Sequence, residues 1–300
     1  MADAAQLLLT RPLAQAQDWS ERLAALGVPT LAFPLIDIVP SDDAAPARDA
    51  WADVARLALV MFVSPNAVRH FFDHRPPGQG WPENVLAATV GPGSAQALEA
   101  AGVPSACIVQ PPRDADSLDS EHLWPELQRV AGSDWTGRSA LMVRGDGGRE
   151  WLGDRLKEAG ASVEAISVYR RQCPVLDAQG RECLKTVLAQ PDRHVWLFSS
   201  SEAVGYLASM LGDVEARAGA GARASPESGT DGGRLASPVL PAEGFGPVDW
   251  GAVRAVATHE RIAARARALG LIHVVLVRPD AVAVAEAFRR LSGSPLESAT

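Results

Sequence analysis

Short runs of consecutive apolar residues recur along the chain, separated by segments in which apolar positions lie three or four residues apart. The runs are continuous rather than alternating, which is typical of strands buried on both faces of a parallel sheet. They are Leu7–Leu9, Leu57–Val63, Val85–Val90, Cys107–Val109, Ala140–Val143, Val195–Phe198, Ala252–Ala257 and Ile272–Val277. We predict a strand at each of them.

The segments between the runs have helical spacing. Trp19, Leu23 and Leu26 lie at i, i+4 and i+7, and Leu152, Leu156 and Ala159 repeat the same spacing. Gly27 and Gly160 follow, at the position where glycine commonly ends a helix. The alternation of strand and helix predicts an α/β fold with parallel sheets flanked by helices.

The pattern also repeats within the chain, out of phase. A shift of 133 residues places Arg11 on Arg144 and Gly27 on Gly160, and a shift of 168 places Gly102 on Gly270. A shift of 136 aligns Phe62–Val68 with Phe198–Val204. Any two strand-helix units share apolar strands, but the coincidence of Arg and Gly positions favours a duplication. We therefore predict two similar α/β lobes, an arrangement that commonly binds its ligand between the lobes.

Residues 212–249 interrupt this correspondence, since the shift grows from 136 to 168 across them. The segment is rich in Gly, Ala, Ser and Pro and has no apolar periodicity. Such a composition buries too little apolar area to offset the entropy lost on ordering. We predict a disordered surface insertion.

Two extended segments are candidates for crossovers between the lobes. Phe33–Pro40 is flanked by prolines, and the shift of 133 brings Ile166–Arg171 into correspondence with it. If the chain leaves and re-enters the first lobe along these segments, a two-stranded linker joins the lobes. The first lobe is then 1–36 with 172–300, and the second is 37–171.

Composition and charge narrow the functional classes. The chain has 300 residues, of which 47% are hydrophobic and 21% charged, as in globular proteins. A net charge of −8 disfavours nucleic acid as the main partner. Cys107, Cys173 and Cys183 have no CxxC spacing, which predicts reduced thiols in a cytoplasmic protein rather than a disulfide framework or a zinc site. The N-terminus lacks the positive region of a signal peptide, and every apolar run is shorter than the roughly 20 residues that span a bilayer.

Polar turns rich in Gly and Ser follow several of the predicted strands. Helix N-termini at such turns attract anions through unpaired N–H groups, and glycine lets the backbone approach a ligand closely. The candidate binding residues in these turns are Ser64, Gly91, Ser94, Gly145, Gly147, Ser199, Ser200 and Thr258. Helix N-capping explains each Ser or Thr taken singly, whereas the recurrence of such turns favours anion binding.

Three arginines lie at or just after strand ends, where a guanidinium can bind a carboxylate bidentately. They are Arg11, Arg144 and Arg149. The competing interpretation is a salt bridge to a neighbouring carboxylate. The carboxylates within reach along the chain are Asp18, Asp146 and Glu150.

Seven segments, in this order, resemble the uroporphyrinogen-III synthase family. They are Thr10-Arg11-Pro12, Phe33–Ile36, Phe62–Val68, Val90–Ser94, Val143–Glu150, Val168–Arg171 and Phe198–Ser200. The resemblance covers nearly the whole chain outside 212–249. The most distinctive part is Arg144–Glu150 followed by Tyr169, and the ordered set is more specific than any single segment.

The resemblance implies two α/β lobes with the active site in the cleft between them. It implies a lyase of tetrapyrrole (porphyrin and heme) biosynthesis that converts hydroxymethylbilane into uroporphyrinogen III, with loss of water and inversion of the terminal D ring. It implies a monomer that uses no metal or cofactor and receives its substrate from porphobilinogen deaminase, by a transient hand-over. We expect neither nucleic acid nor a membrane as a partner.

Tyr169 is the candidate for proton transfer. A phenol stays protonated at neutral pH and can donate to the departing hydroxyl group. From spacing alone, aromatic packing between the linker strands is an equally good interpretation, and the resemblance favours catalysis.

The chain departs from the family after the strand Ala252–Ala257, where many relatives have a Gly-Pro-Thr-Thr-like turn. Thr258 remains able to cap a helix and to bind, but Arg261 and Ile262 offer no hydroxyl group. Two other functions stay open. One is a non-catalytic two-lobe binding protein for an anionic small molecule; the other is a glycosyltransferase-like enzyme, for which the chain lacks a nucleotide-binding motif.

Overall fold

The computed structural model describes residues 5–112, 117–147, 150–212, 245 and 247–293. By their internal contacts they form two compact units: unit 1 is Met1–Asp37 with Gln172–Thr300, and unit 2 is Ile38–Arg171. The sequence predicted the crossings at 36/37 and 171/172. The predicted insertion at 212–249 lies outside the described residues, apart from Gly212, Phe245 and 247–249.

The secondary structure alternates between strands and helices along most of the described chain. The strands are β1 (Gln6–Leu9), β2 (Thr30–Ala32), β3 (Asp37–Pro40), β4 (Leu59–Phe62), β5 (Leu86–Thr89), β6 (Ile108–Val109), β7 (Ser139–Gly145), β8 (Ser162–Gln172), β9 (His194–Phe198), β10 (Arg254–Ala257) and β11 (His273–Leu276). The helices are α1 (Leu13–Ala24), α2 (Ala45–Asp53), α3 (Pro65–Phe72), α4 (Pro92–Ala100), α5 (Ser120–Ala131), α6 (Trp151–Glu158), α7 (Ala178–Ala189), α8 (Ser201–Met210), α9 (Glu260–Ala268) and α10 (Ala281–Ser292). Every predicted apolar run overlaps a strand.

Each unit is built on its own sheet, and the two sheets have the same order of strands. The sheet of unit 1 runs β11-β10-β9-β1-β2, with all neighbours parallel. The sheet of unit 2 runs β6-β5-β4-β7-β8, again parallel, with β3 added beside β8. The equivalences β1 with β7, β9 with β4 and β10 with β5 are those of the sequence shifts. The predicted α/β class with two similar parallel sheets is confirmed.

The glycines paired by the internal repeat share one backbone conformation. Gly27, Gly160, Gly102 and Gly270 all have positive φ, from +70° to +107°. Side chains with a Cβ rarely adopt such angles. The chain therefore turns from helix to strand in the same way in both units.

The core of unit 2 explains why its strands are apolar on both faces. Phe62 packs on one side of the sheet with Trp51 and Phe71, whose rings stack at 4.9 Å. Side chains alternate between the two faces of a strand, so Leu59 and Met61 pack on the other side, against α5 and α6. Because β4 is covered on both faces, all four of its residues are buried, each contributing about 1.5–3 kcal/mol where a large side chain is fully enclosed.

Candidate functional site

A pocket of about 390 Å³ lies in unit 2 at the carboxyl ends of its central strands and extends along α6 and β8. Met61, Met142, Val63 and Val163 give it an apolar lining. Its polar lining comes from Ser64, Asp119, Ser120, Arg144, Asp146, Glu150, Asp154, Lys157, Glu164, Tyr169 and Arg171. The carboxyl edge of a parallel sheet is where open α/β folds bind ligands.

An irregularity in β8 places Tyr169 in this pocket. β7 and β8 pair in regular register up to Arg144 and Ser167, and the next pair is Gly145 with Tyr169. Val168 is therefore an extra residue, as in a β-bulge, which re-aims the side chain that follows it. Tyr169 is 2% exposed, and its ring lies against the backbone of Gly145, where a Cβ atom would be 2.6 Å from Cε2.

The hydroxyl group of Tyr169 is held by the first residue of the turn after β4. Tyr169 Oη lies 3.1 Å from Ser64 Oγ, and either atom can be the donor. Ser64 Oγ also accepts a hydrogen bond from Ala67 N at 3.1 Å and caps α3. The N-cap interpretation of Ser64 is thus confirmed, and the same hydroxyl group fixes the end of the phenol.

Two further contacts shape the turn after β7. Arg144 Nη2 lies 3.4 Å from Glu150 Oε1, so the predicted alternative for Arg144, a salt bridge, is present. Ser167 Oγ lies 2.6 Å from Asp146 Oδ1 and ties the turn to the bulged part of β8. Gly147 has a φ of +75°. The backbone of this turn borders the pocket at Gly145, Asp146 and Gly147.

Asp119 brings a second helix N-terminus to the pocket. Its Oδ1 accepts hydrogen bonds from His122 N at 3.0 Å and from the His122 ring at 2.6 Å, capping α5. The side-chain hydrogen bond of His122, and then a side-chain hydrogen bond of Ser117, lower the pKa of Asp119 to about 2. Asp119 is therefore an ionised carboxylate at neutral pH.

Most of the predicted site residues of unit 2 come together in this pocket. Ser64, Arg144, Gly145, Gly147 and Tyr169 line it. Gly91 and Ser94, at the start of α4 beside it, are not among the lining residues, and Ser94 is buried. Arg149 lies outside the described residues.

The predicted site residues of unit 1 lie at the carboxyl edge of its own sheet. Arg11 follows β1, Ser199 and Ser200 follow β9, and Thr258 follows β10; these three strands are neighbours. Ser200 caps α8 by accepting from Glu202 N at 3.1 Å. Thr258 is not the N-cap of the next helix, because His259 Nδ1 accepts from Arg261 N and caps α9.

Arg11 is largely enclosed, with its guanidinium carbon 4.4 Å from the centre of the Trp19 ring. Within the part of the chain that the structure describes, its Nε has no hydrogen-bond partner. Burial, and then the nearby charge of Arg22, lower the pKa of Arg11 to about 10, against the opposing effect of Asp18. Arg11 remains charged at neutral pH and can accept an anion.

Sequence reasoning missed three parts of the site. Asp119 does not follow a predicted strand directly, so the strand-turn-helix pattern did not point to it. Met61 and Met142 were assigned to strands but not to the pocket. His70, in α3, has no local sequence signal of a site; its ring stacks on Tyr169 with centroids 6.0 Å apart, a contact that depends on how α3 packs.

The described residues contain no group of three or more His, Cys, Asp or Glu side chains placed to hold a metal ion. They also contain no helix with the length and apolarity required to cross a membrane.

Comparison with known proteins finds one family that matches most of the chain. A profile of the family described as uroporphyrinogen-III synthase HemD matches residues 17–224. The chain is 33% identical over 168 residues to the uroporphyrinogen-III synthase of Salmonella typhimurium, covering 55% of this chain and 64% of that protein. It is 30% identical over 171 residues to that of Escherichia coli, with the same shares covered. The matched segment thus spans less than two thirds of the length of either relative.

A solved structure shares the fold across nearly the whole chain. Uroporphyrinogen-III synthetase from Helicobacter pylori 26695 aligns with 96% of this chain and 100% of its own, at a TM-score of 0.52 and 14% sequence identity. At this identity the likeness concerns the fold.

Proposed function

The chain belongs to the uroporphyrinogen-III synthase HemD family, and on that premise we propose that it cyclises hydroxymethylbilane to uroporphyrinogen III, a hydro-lyase reaction that inverts the terminal D ring. The observation that carries the proposal is the buried Tyr169 phenol, hydrogen-bonded to Ser64 in a pocket at the carboxyl edge of the sheet. The pocket combines a proton donor with an apolar lining that suits pyrrole rings.

The first step breaks the carbon–oxygen bond of the terminal hydroxymethyl group. The lone pair of the adjacent pyrrole nitrogen expels the hydroxyl group, which takes the proton of Tyr169 and leaves as water. Ser64 Oγ, oriented by its bond to Ala67 N, can donate to the phenolate oxygen that remains. A positioned general acid of this kind contributes roughly 10²–10⁴-fold.

The second task is to steer the reactive azafulvene. Its electrophilic carbon must meet the substituted position of the D ring, whereas the free molecule closes spontaneously to the uninverted isomer I. Catalysis therefore depends on holding the chain of pyrroles in one folded conformation. Loss of a proton from the substrate on ring closure restores the Tyr169 phenol.

The eight carboxylates of the substrate give the protein many points of attachment. In unit 2 we assign this role to the turn at Gly145 and Gly147 and to Arg144, which is 23% exposed and only loosely paired with Glu150. In unit 1 we assign it to Arg11, Ser199, Ser200 and Thr258. Gly91, Ser94 and Arg149 remain candidates, from the sequence, for binding substrate carboxylates. We also propose that both units bind one substrate molecule.

The proposal extends to the setting of the reaction. Because free hydroxymethylbilane closes to isomer I, direct transfer from porphobilinogen deaminase would favour isomer III. We propose that this protein receives its substrate in a transient encounter with that enzyme. We also propose that it is a monomeric, cytoplasmic protein that works without a metal or cofactor.

A coupled assay tests the function. Porphobilinogen deaminase supplies fresh hydroxymethylbilane, and the oxidised products are separated by chromatography into isomers I and III. We expect mostly isomer III. Isomer I alone, from a sample shown to be folded, would reject the synthase proposal and favour the binding protein for an anionic small molecule.

A further inference from the structure

The Tyr169 ring is enclosed on two sides. The backbone of Gly145 lies against Cε2 and Cζ, so closely that no Cβ fits there. The His70 ring lies 6.0 Å away, centroid to centroid, at an interplanar angle of 27°, within the range of stacked aromatic pairs. His70 is itself only 6% exposed, so it forms a wall and not a mobile surface group.

One helix holds both ends of the tyrosine. Ser64 caps α3 and contacts the Tyr169 hydroxyl group, while His70 belongs to the second turn of the same helix and contacts the ring. The helix is anchored in the core by Val68 and Phe71, which are 1% and 0% exposed. The tilt of the phenol is thus set by two groups on one rigid element.

The contacts of His70 assign its tautomer. Arg69 Nη2 lies 3.2 Å from His70 Nε2, and because a guanidinium can only donate, Nε2 must accept. The ring proton is then on Nδ1, which faces Asp73 Oδ2 at 3.6 Å. In this state the imidazole is neutral, and its plane is inclined by 27° to the tyrosine ring.

We propose that His70 is a positioning residue, whose neutral imidazole holds the Tyr169 ring so that its hydroxyl group stays on Ser64 and directed to the reacting hydroxyl of the substrate. The inference rests on the proposed function for its catalytic meaning. The contact itself between His70 and Tyr169 can be tested without substrate.

A second proton on His70 would oppose this arrangement. It would sit on Nε2, remove the hydrogen bond from Arg69 and place two positive charges side by side. Burial, and then the charges of Arg69 and His74, lower the pKa of His70 below its ordinary value of 6.5, while Asp73 acts in the opposite direction. Tyr169 is the titratable group that faces it from β8. The imidazole therefore stays neutral down to a pH below 6.5, and Tyr169 loses its support only under more acidic conditions.

The substrate-free test uses the small number of tyrosines. Tyr169 and Tyr206 are the two in the sequence, so 13C-labelled tyrosine gives two Cζ resonances, assigned with Tyr169→Phe and Tyr206→Phe. We expect the Tyr169 resonance of the wild type to follow a titration below pH 6.5 that is absent in His70→Phe. A Tyr169 resonance that ignores that titration, or keeps it in His70→Phe, would overturn the proposal.

The kinetic test compares three variants. His70→Ala removes the wall, and we expect kcat to fall by about 10- to 100-fold with little change in KM, since a small misplacement of a reacting group costs this much. His70→Phe keeps an aromatic wall and should restore most of the loss while removing the acid limb of the pH profile. His273→Ala, an exposed histidine on β11, is the matched control.

The double variant separates positioning from general damage. If His70 acts through Tyr169, adding His70→Ala to Tyr169→Phe should lower kcat no further. A purely structural role would instead make the two losses in kcat multiply. Multiplying losses overturn the proposal. If the wild type yields only isomer I, the proposed function fails, and the tyrosine resonances still decide whether His70 holds Tyr169.

Discussion

Gly145 and Tyr169 are paired across β7 and β8, and the tyrosine ring occupies the space that a side chain at residue 145 would need. A Cβ atom there would stand 2.6 Å from Cε2 and 2.7 Å from Cζ of the ring. These distances are shorter than any ordinary contact between carbon atoms. The absence of a side chain at residue 145 is therefore a condition for the position of the phenol.

Replacing Gly145 with alanine should move the tyrosine. Because the added methyl group meets a buried ring, we expect a loss of about 1–3 kcal/mol in the free energy of unfolding, together with a fall in kcat. Urea unfolding and the isomer III assay measure the two effects. Gly80→Ala is the control, since a Cβ at Gly80 meets nothing within 4 Å. Full activity and stability in Gly145→Ala would show that the ring has room to move.

Removing the Tyr169 hydroxyl group should affect turnover more than binding. In Tyr169→Phe the ring keeps its contacts with Gly145 and His70, so product binding should be retained while kcat falls by about 10²-fold or more. Tyr206→Phe is the matched control, because Tyr206 hydrogen-bonds to Glu202 in unit 1, at 3.0 Å. Unchanged turnover in Tyr169→Phe would remove Tyr169 from the mechanism.

The fold was predictable because continuous apolar runs mark strands covered on both faces. The strands that the runs missed are those with partly exposed residues. β8, for instance, has exposed positions at Ser162, Glu164 and Ala165, since it lies towards the side of its sheet. β2 has only three residues and β3 is partly exposed along its length. Partial exposure lets polar residues interrupt these three strands, although the partly exposed β11 still has an apolar run.

The pocket was predictable only in part, because its geometry depends on long-range register. Ser64 and Tyr169 are 105 residues apart. The sequence predicted Ser64 in a turn after a strand and Tyr169 in a crossover segment, and the family resemblance connected Tyr169 with catalysis. The extra residue Val168 and the stacking of His70 have no local signature. They follow from how β8 pairs with β7 and how α3 packs, which side-chain periodicity does not specify.

Ser64→Ala should have two separable effects. Loss of the N-cap of α3 is expected to cost about 1 kcal/mol of stability, and loss of the Tyr169 partner should lower kcat as well. Asp280→Ala removes the N-cap of α10, where Asp280 Oδ1 accepts from Ala283 N at 2.9 Å. Thermal unfolding and kcat should be measured for both variants. A kcat that falls equally in both would mean that only stability was lost.

The Asp119 cap predicts a pH dependence of stability. Its folded pKa of about 2 lies below the ordinary value of 3.8, so the unfolded chain binds the proton more tightly. The stabilisation is therefore complete above pH 3.8 and is lost as the pH falls towards 2. In urea unfolding, wild type should exceed Asp119→Asn at neutral pH, and the difference should shrink across that window. A difference that is constant with pH would contradict the assignment.

Arg11 offers the sharpest test of the site in unit 1. Its guanidinium is enclosed and stacked on Trp19, yet its Nε lacks a partner among the described residues, so the charge adds little to folding. Arg11→Met keeps the contact with the indole and removes the charge. We expect unchanged or higher stability, with KM raised about 10-fold or more if the arginine binds a substrate carboxylate. Arg22→Met is the control, because Arg22 also lies over Trp19 but is 49% exposed and 3.8 Å from Asp18. An equal KM in both variants would place the carboxylates on backbone N–H groups instead.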